Sequence, residues 1–142
     1  MPSHKDDGYV AGESTGSCLC GGVRYRVLGG MRGIIACHCG QCRKQTGSYM
    51  TATRVRVEDF DLEDNENLVE WYRSSENARR AFCRRCGSTL FWQSDKSLGS
   101  VSIAAGGLDV HPKELCVVEH IFVNDKAGWF YERDRTRPED IP

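Results

Sequence analysis

Hydrophobic residues in this chain come in short runs with a period of two, separated by glycine and small polar residues. Residues 22–27 (GVRYRV) alternate strictly, with Val23, Tyr25 and Val27 on one face and Arg24 and Arg26 on the other, as a half-buried strand requires. Residues 51–62 (TATRVRVEDFDL) alternate again around Val55 and Val57. Residues 68–74 (LVEWYRS) and 78–82 read as two strands joined by the turn-prone Ser75, Glu76 and Asn77. Residues 89–93 (TLFWQ), 101–105 and 117–123 (VVEHIFV) complete the set. One short helix is expected near residues 41–47, and no heptad or long amphipathic pattern occurs. Repeated short strands with glycine-rich breaks predict a mainly β fold, with antiparallel sheets and short helical turns rather than alternating βαβ units.

Length and charge narrow the class. A chain of 142 residues suits one domain with a modest core. With 19 basic and 20 acidic residues the net charge is −1, so no global field favours nucleic acid or a membrane surface. The longest apolar stretches, such as residues 101–105, are far too short to span a bilayer. The first fifteen residues (MPSHKDDGYVAGEST) are polar and lack the apolar core of a secretory signal. The expected organisation is a flexible N-terminal segment over 1–15, a single domain over 16–132 and a flexible tail over 133–142. A soluble, cytoplasmic protein is the corresponding expectation.

Cysteine changes the picture. Seven of the eight cysteines form three tight clusters: Cys18 and Cys20, then Cys37, Cys39 and Cys42, then Cys83 and Cys86. Gaps of one and two residues bring two sulfurs to the same side of a turn, which is the spacing of tetrahedral zinc ligation. A disulfide framework is the rival reading, but it needs an oxidising compartment that the N-terminus does not announce. The first and last pairs together make one closed four-sulfur set. The middle cluster supplies three sulfurs and leaves a fourth position open, either for substrate or for a further protein ligand such as Cys116 or a histidine. Gly21 and Gly87 directly follow the last ligand of each pair, where positive φ turns backbone N–H groups toward sulfur.

Three thiolates on Zn²⁺ leave a net charge of −1, which weakens its power to acidify water. Such a soft site prefers another sulfur, and this points to carbon–sulfur chemistry on a bound thiol. His38 lies between two ligands, so its side chain is expected to point away from their shared ion. His120, on the same strand face as Val118 and Phe122, and Asp109 are candidates for a proton relay if either faces the cleft. Cys116 reads as a small buried hydrophobe, and His4 and His111 as tail and turn residues.

These motifs resemble those of a known family. Residues 17–25 (SCLCGGVRY), 37–48 (CHCGQCRKQTGS) and 82–92 (FCRRCGSTLFW) are similar to the three motifs of the glutathione-dependent formaldehyde-activating enzymes, grouped with centromere protein V. Residues 106–109 (GGLD), 120–123 (HIFV) and Trp129 also match in kind, so the likeness covers residues 17–131. It implies an Mss4-like fold with two Zn²⁺ per chain, a structural ion on Cys18, Cys20, Cys83 and Cys86 and a catalytic ion on Cys37, Cys39 and Cys42. It also implies an activity of the S-(hydroxymethyl)glutathione synthase type, joining formaldehyde to glutathione. Arg43, Lys44, Arg84 and Arg85 near the clusters are then candidates to hold the carboxylates of such a thiol. Two other classes stay open: a zinc-stabilised protein-interaction module without catalysis, and a thiol redox or metal-handling protein. Balanced charge speaks against nucleic-acid binding, and grouping in metal-sized sets speaks against an isolated redox Cys-x-x-Cys.

Overall fold

A computed structural model of the chain describes residues 9–10 and 12–130. The expected tail over 133–142, His4 and most of the expected N-terminal segment lie outside the described residues. In chain order the strands are β1 (Tyr9–Val10), β2 (Ser14–Ser17), β3 (Arg24–Val27), β4 (Met31–Arg32), β5 (Ile34–Cys37) and β6 (Met50–Arg56). They continue with β7 (Phe60–Glu63), β8 (Val69–Arg73), β9 (Ala78–Cys83), β10 (Thr89–Ser94), β11 (Ser100–Ala104) and β12 (Val117–Ile121). One helix, α1 (Gly40–Thr46), stands where a short helix is expected. The architecture is mainly β, with antiparallel sheets and short helical turns, as expected. No helix among the described residues is long and apolar enough to cross a membrane.

A seven-stranded sheet in the order β12-β5-β6-β11-β10-β9-β8 faces a three-stranded sheet in the order β2-β3-β7, and β1 pairs with β4 at the side. The alternation of residues 22–27 is realised as expected. Val23, Tyr25 and Val27 are buried in the core between the sheets, with Val55, Phe91, Val101 and Ile103 from the larger sheet, while Arg24 and Arg26 are exposed. Tyr25, Phe60 and Phe91 meet in a triangle with centroid separations of 5.3 to 5.7 Å. Tilted and edge-on pairs of this kind add about 0.5–1.5 kcal/mol each beyond their buried area, so this triangle is where the sheets lock. The hairpin at residues 75–77 is also as expected, with Arg73 opposite Arg79 in antiparallel register.

Three features depart from the sequence reading. The alternating run over 51–62 is two strands, because a 3₁₀ turn at Val57–Asp59 carries the chain from β6 in the large sheet to β7 in the small one. The last strand, β12, runs parallel to β5, unlike its antiparallel neighbours. Within residues 9–15, Tyr9–Val10 pair with Met31–Arg32 and Ser14 is buried opposite Val27, strand pairings that the sequence pattern does not mark. Two-residue strands and polar strands carry too little hydrophobic alternation to be read from sequence.

Gly16 in β2 lies opposite Tyr25, and a Cβ there would overlap the tyrosine ring. Gly16→Ala is expected to displace Tyr25 from the core triangle and cost about 1–3 kcal/mol, read as a lower urea midpoint. Gly106→Ala is the control, since a Cβ at Gly106 meets nothing within 4 Å. Equal midpoints for the two variants would remove the close approach as a constraint.

Candidate metal centres

Two turns bring the first set of thiols together. β2 ends in the turn that carries Cys18 and Cys20, and β9 ends at Cys83, one turn before Cys86. Gly21 and Gly87 close these turns with φ of 77° and 78°, values that a side chain tolerates poorly. The Cys18 and Cys20 sulfurs are 3.5 Å apart, and Cys20 and Cys83 are 3.9 Å apart. All four sulfurs lie within 4.8 Å of one another. Tetrahedral zinc with bonds of about 2.3 Å sets its sulfurs about 3.8 Å apart, so the four thiols fit the ion. The turns are also tied directly, since the Leu19 N–H donates to Ser88 Oγ at 2.8 Å. Because Cys18 and Cys20 lie in the turn that follows β2 of the small sheet and Cys83 ends β9 of the large one, the cluster bridges two sheets.

Hydrogen bonding prepares these sulfurs. The Val23 N–H donates to Cys18 Sγ at 3.3 Å. Burial pushes the Cys86 thiol up, but hydrogen bonds from Ser88 and from backbone N–H groups prevail and hold it at about 5. Burial raises the Cys83 thiol to about 11. Neighbouring sulfurs thus divide charge between them, and a cation can then ionise them all.

The second set is built within one β–α connection. Cys37 ends β5, Cys39 caps α1 and Cys42 lies in its first turn. The Cys42 N–H donates to Cys39 Sγ at 3.3 Å, and the three sulfurs lie within 4.8 Å of one another. Their hydrogen bonding is lopsided. The bond to Cys37 and contact with the Arg80 guanidinium hold the Cys42 thiol at about 5 against the cost of burial. The same bond, together with burial, pushes Cys37 well up. Among the described residues no fourth His, Cys, Asp or Glu joins this group. All eight cysteines are free thiols, and Cys116 is exposed rather than buried and belongs to neither set. It stands just before β12, which is the edge strand of the seven-stranded sheet among the described residues.

The three thiols line a cleft of about 320 Å³ on the outer face of the seven-stranded sheet. Met50, Ala52 and Trp92 give it apolar walls, Ile121 and Phe122 stand at the β12 side, and Arg32 and Arg80 bring charge. Phe122 adopts φ 55°, which a bulky residue rarely takes. Neither arginine was anticipated. Both fall on strands where alternation marks them only as outward-facing, and the pattern carries no sign that another layer covers that face.

The remaining candidates lie elsewhere. His38 is only 2% exposed and points away from the thiols, as expected. Its Nε2 shares a hydrogen bond of 2.8 Å with His120 Nδ1, and its ring stacks on Tyr49 at 4.5 Å and leans on Phe130 at 4.6 Å. His120 is exposed on β12 and does not line the cleft. Asp109 accepts from Thr15 Oγ1 at 2.8 Å and borders a separate groove beside Cys18 and Ser88. The relay expected of His120 and Asp109 therefore has neither residue at the three-thiol cleft, because β12 and the 105–116 connection turn them outward. His111 is exposed in its turn. Arg84 donates to the Asn67 carbonyl and Arg85 pairs with Glu66. Arg43 and Lys44 lie on α1, and none of these four cations lines the cleft.

Comparison with known proteins agrees with this geometry. A family model described as glutathione-dependent formaldehyde-activating enzyme matches residues 13–125. An uncharacterized lyase of Schizosaccharomyces pombe is 32% identical over 80 residues, which span 56% of this chain and 57% of that protein. A crystal structure of a Rhodobacter sphaeroides protein matches with a TM-score of 0.59 at 24% identity, covering 75% of this chain and 98% of the other, and shows the fold.

The two sets of thiols should respond differently to substitution. Cys83→Ser opens the cluster that joins the sheets and is expected to unfold or precipitate the protein, since structural zinc contributes roughly 10–16 kcal/mol of apparent free energy in small domains. Cys39→Ser disturbs one local turn and is expected to keep a native circular-dichroism spectrum. A Cys39 variant less stable than the Cys83 variant would reverse the two roles.

Proposed function

The chain belongs to the glutathione-dependent formaldehyde-activating enzyme family, and from that premise we propose that it is a zinc-dependent carbon–sulfur lyase acting on a thiol adduct. The observation that carries this reading is the three-thiol cluster on the wall of a cleft, with no fourth protein ligand among the described residues. In this reading Cys18, Cys20, Cys83 and Cys86 hold a structural zinc, and Cys37, Cys39 and Cys42 hold a second one. Zinc on the second set supplies a soft Lewis-acid position at which a substrate thiol is stabilised as its thiolate. The net conversion is addition of the substrate sulfur to an aldehyde carbon. The C–S bond forms, the C=O π bond opens, and the proton lost by the thiol ends on oxygen. Elimination is the reverse.

The chain's own residues provide the setting. The Cys39 cap and the first turn of α1 hold the three sulfurs in one orientation. Met50, Ala52 and Trp92 exclude water around the reacting sulfur, which strengthens electrostatics within the cleft. A thiol with anionic groups, glutathione among them, suits a cleft lined by Arg32 and Arg80.

Two measurements test the reading. Zinc analysis of freshly purified protein is expected to give between one and two ions per chain, rising to two with added metal; saturation at one would end the two-site assignment. In Co²⁺-substituted protein, added thiol is expected to raise the sulfur-to-cobalt charge-transfer band and release protons. A spectrum indifferent to glutathione and to smaller thiols would favour a zinc-stabilised interaction module, for which the exposed Val118, Phe122 and Trp129 offer an apolar edge.

A further inference from the structure

Arg80 carries a positive charge into the interior, and among the described residues no carboxylate pairs with it. It lies in β9 with 5% of its surface exposed, and a buried guanidinium is costly unless an anion faces it. Among the described residues the ion pairs are Arg26–Asp61, Arg73–Asp95 and Arg85–Glu66, all at the surface. Arg80 instead donates from Nη1 to Cys42 Sγ at 3.4 Å and from Nη2 to the neutral Gln41 Oε1 at 3.4 Å. Its Nε is buried without a partner. Arg32, the other arginine of the cleft, spends its bonds on the carbonyls of Gly33 and Ala52. The anion that balances Arg80 is therefore the thiolate cluster itself.

We infer that Arg80 is a positioning residue that neutralises the three-cysteine site and so lets it accept an anionic fourth ligand. This rests on the reading of that site as an open zinc centre. Three thiolates and Zn²⁺ sum to −1, and a fourth thiolate makes −2, which an apolar cleft resists. With the fixed guanidinium beside Cys42, the same two states carry 0 and −1. A guanidinium against one sulfur also withdraws charge from that ligand, as hydrogen bonds to metal-bound groups do. Among the described residues the four-thiol cluster has no comparable buried cation. The arginine beside it, Arg85, is exposed and paired with Glu66, as suits a closed site that takes no further anion.

The test separates charge from packing. Co²⁺-loaded wild type, Arg80→Lys and Arg80→Gln are titrated at one pH with 2-mercaptoethanol, which binds as an anion, and with imidazole, which binds neutral. Neither ligand carries a carboxylate that Arg80 could grip. Arg80→Gln is expected to weaken the thiol by about tenfold or more and imidazole by no more than about twofold, while Arg80→Lys stays within about threefold of wild type for both. Equal losses for both ligands, or none for either, would overturn the inference. Should Arg80→Gln fail to fold, Arg80→Met places an apolar chain of similar length there and carries the same comparison. A wild-type protein that binds neither ligand would instead overturn the open-site reading on which this one stands.

Discussion

Four sulfurs from two distant turns meet between two sheets, and the rest of the molecule is arranged around that meeting. Cys20 and Cys83 are 63 positions apart yet 3.9 Å apart in space. Thiolates at such separations repel unless a cation neutralises them, so the geometry itself asks for a metal. The two sheets share one modest core, with the Tyr25–Phe60–Phe91 triangle across it. A domain of this size buries a limited fraction of its surface, and a cross-sheet clamp compensates for that. It also frees the outer face of the large sheet from having to hold the protein together.

That outer face is where chemistry is possible. The three-thiol cluster needs no long-range partner to form, since one β–α turn assembles it from residues 37–42. What long-range structure adds is its surroundings. β6, β9 and β10 supply the apolar walls and Arg80, and β12 brings Ile121 and Phe122 to the rim. Local sulfur chemistry placed on a rigid sheet and surrounded by side chains from distant strands is a common plan for a site. The scaffold holds the ligands still, and the distant strands tune their charge.

The histidines show how position in a motif misleads about role. His38 sits between two cysteines, yet it is buried against the rings of Tyr49 and Phe130 and bonded to the exposed His120 rather than grouped with the sulfurs. These ring contacts join β12 to the connection that carries the three thiols. Hydrogen bonding of His38 N–H to the Ile121 carbonyl at 3.0 Å continues the same attachment.

Much of this was legible in the chain. Period-two alternation with glycine breaks identified a β fold because a strand facing a core must alternate, and Val23, Tyr25 and Val27 do. The spacing of seven cysteines separated the two thiol groups because short gaps confine sulfurs to one side of a turn, and the glycines after Cys20 and Cys86 marked the positive φ those turns need. Tertiary structure alone decided the rest. The division of residues 51–62 between two sheets, the parallel pairing of β12 and the exposure of Cys116 depend on which strands become neighbours, and no local periodicity encodes that. The outward position of His120 and Asp109 follows from the same pairing. Arg80 is the clearest case, because an arginine in an alternating strand looks solvent-facing in sequence. Only the strand order and the placement of α1 set it beside Cys42, inside the protein, where its charge acts on sulfur.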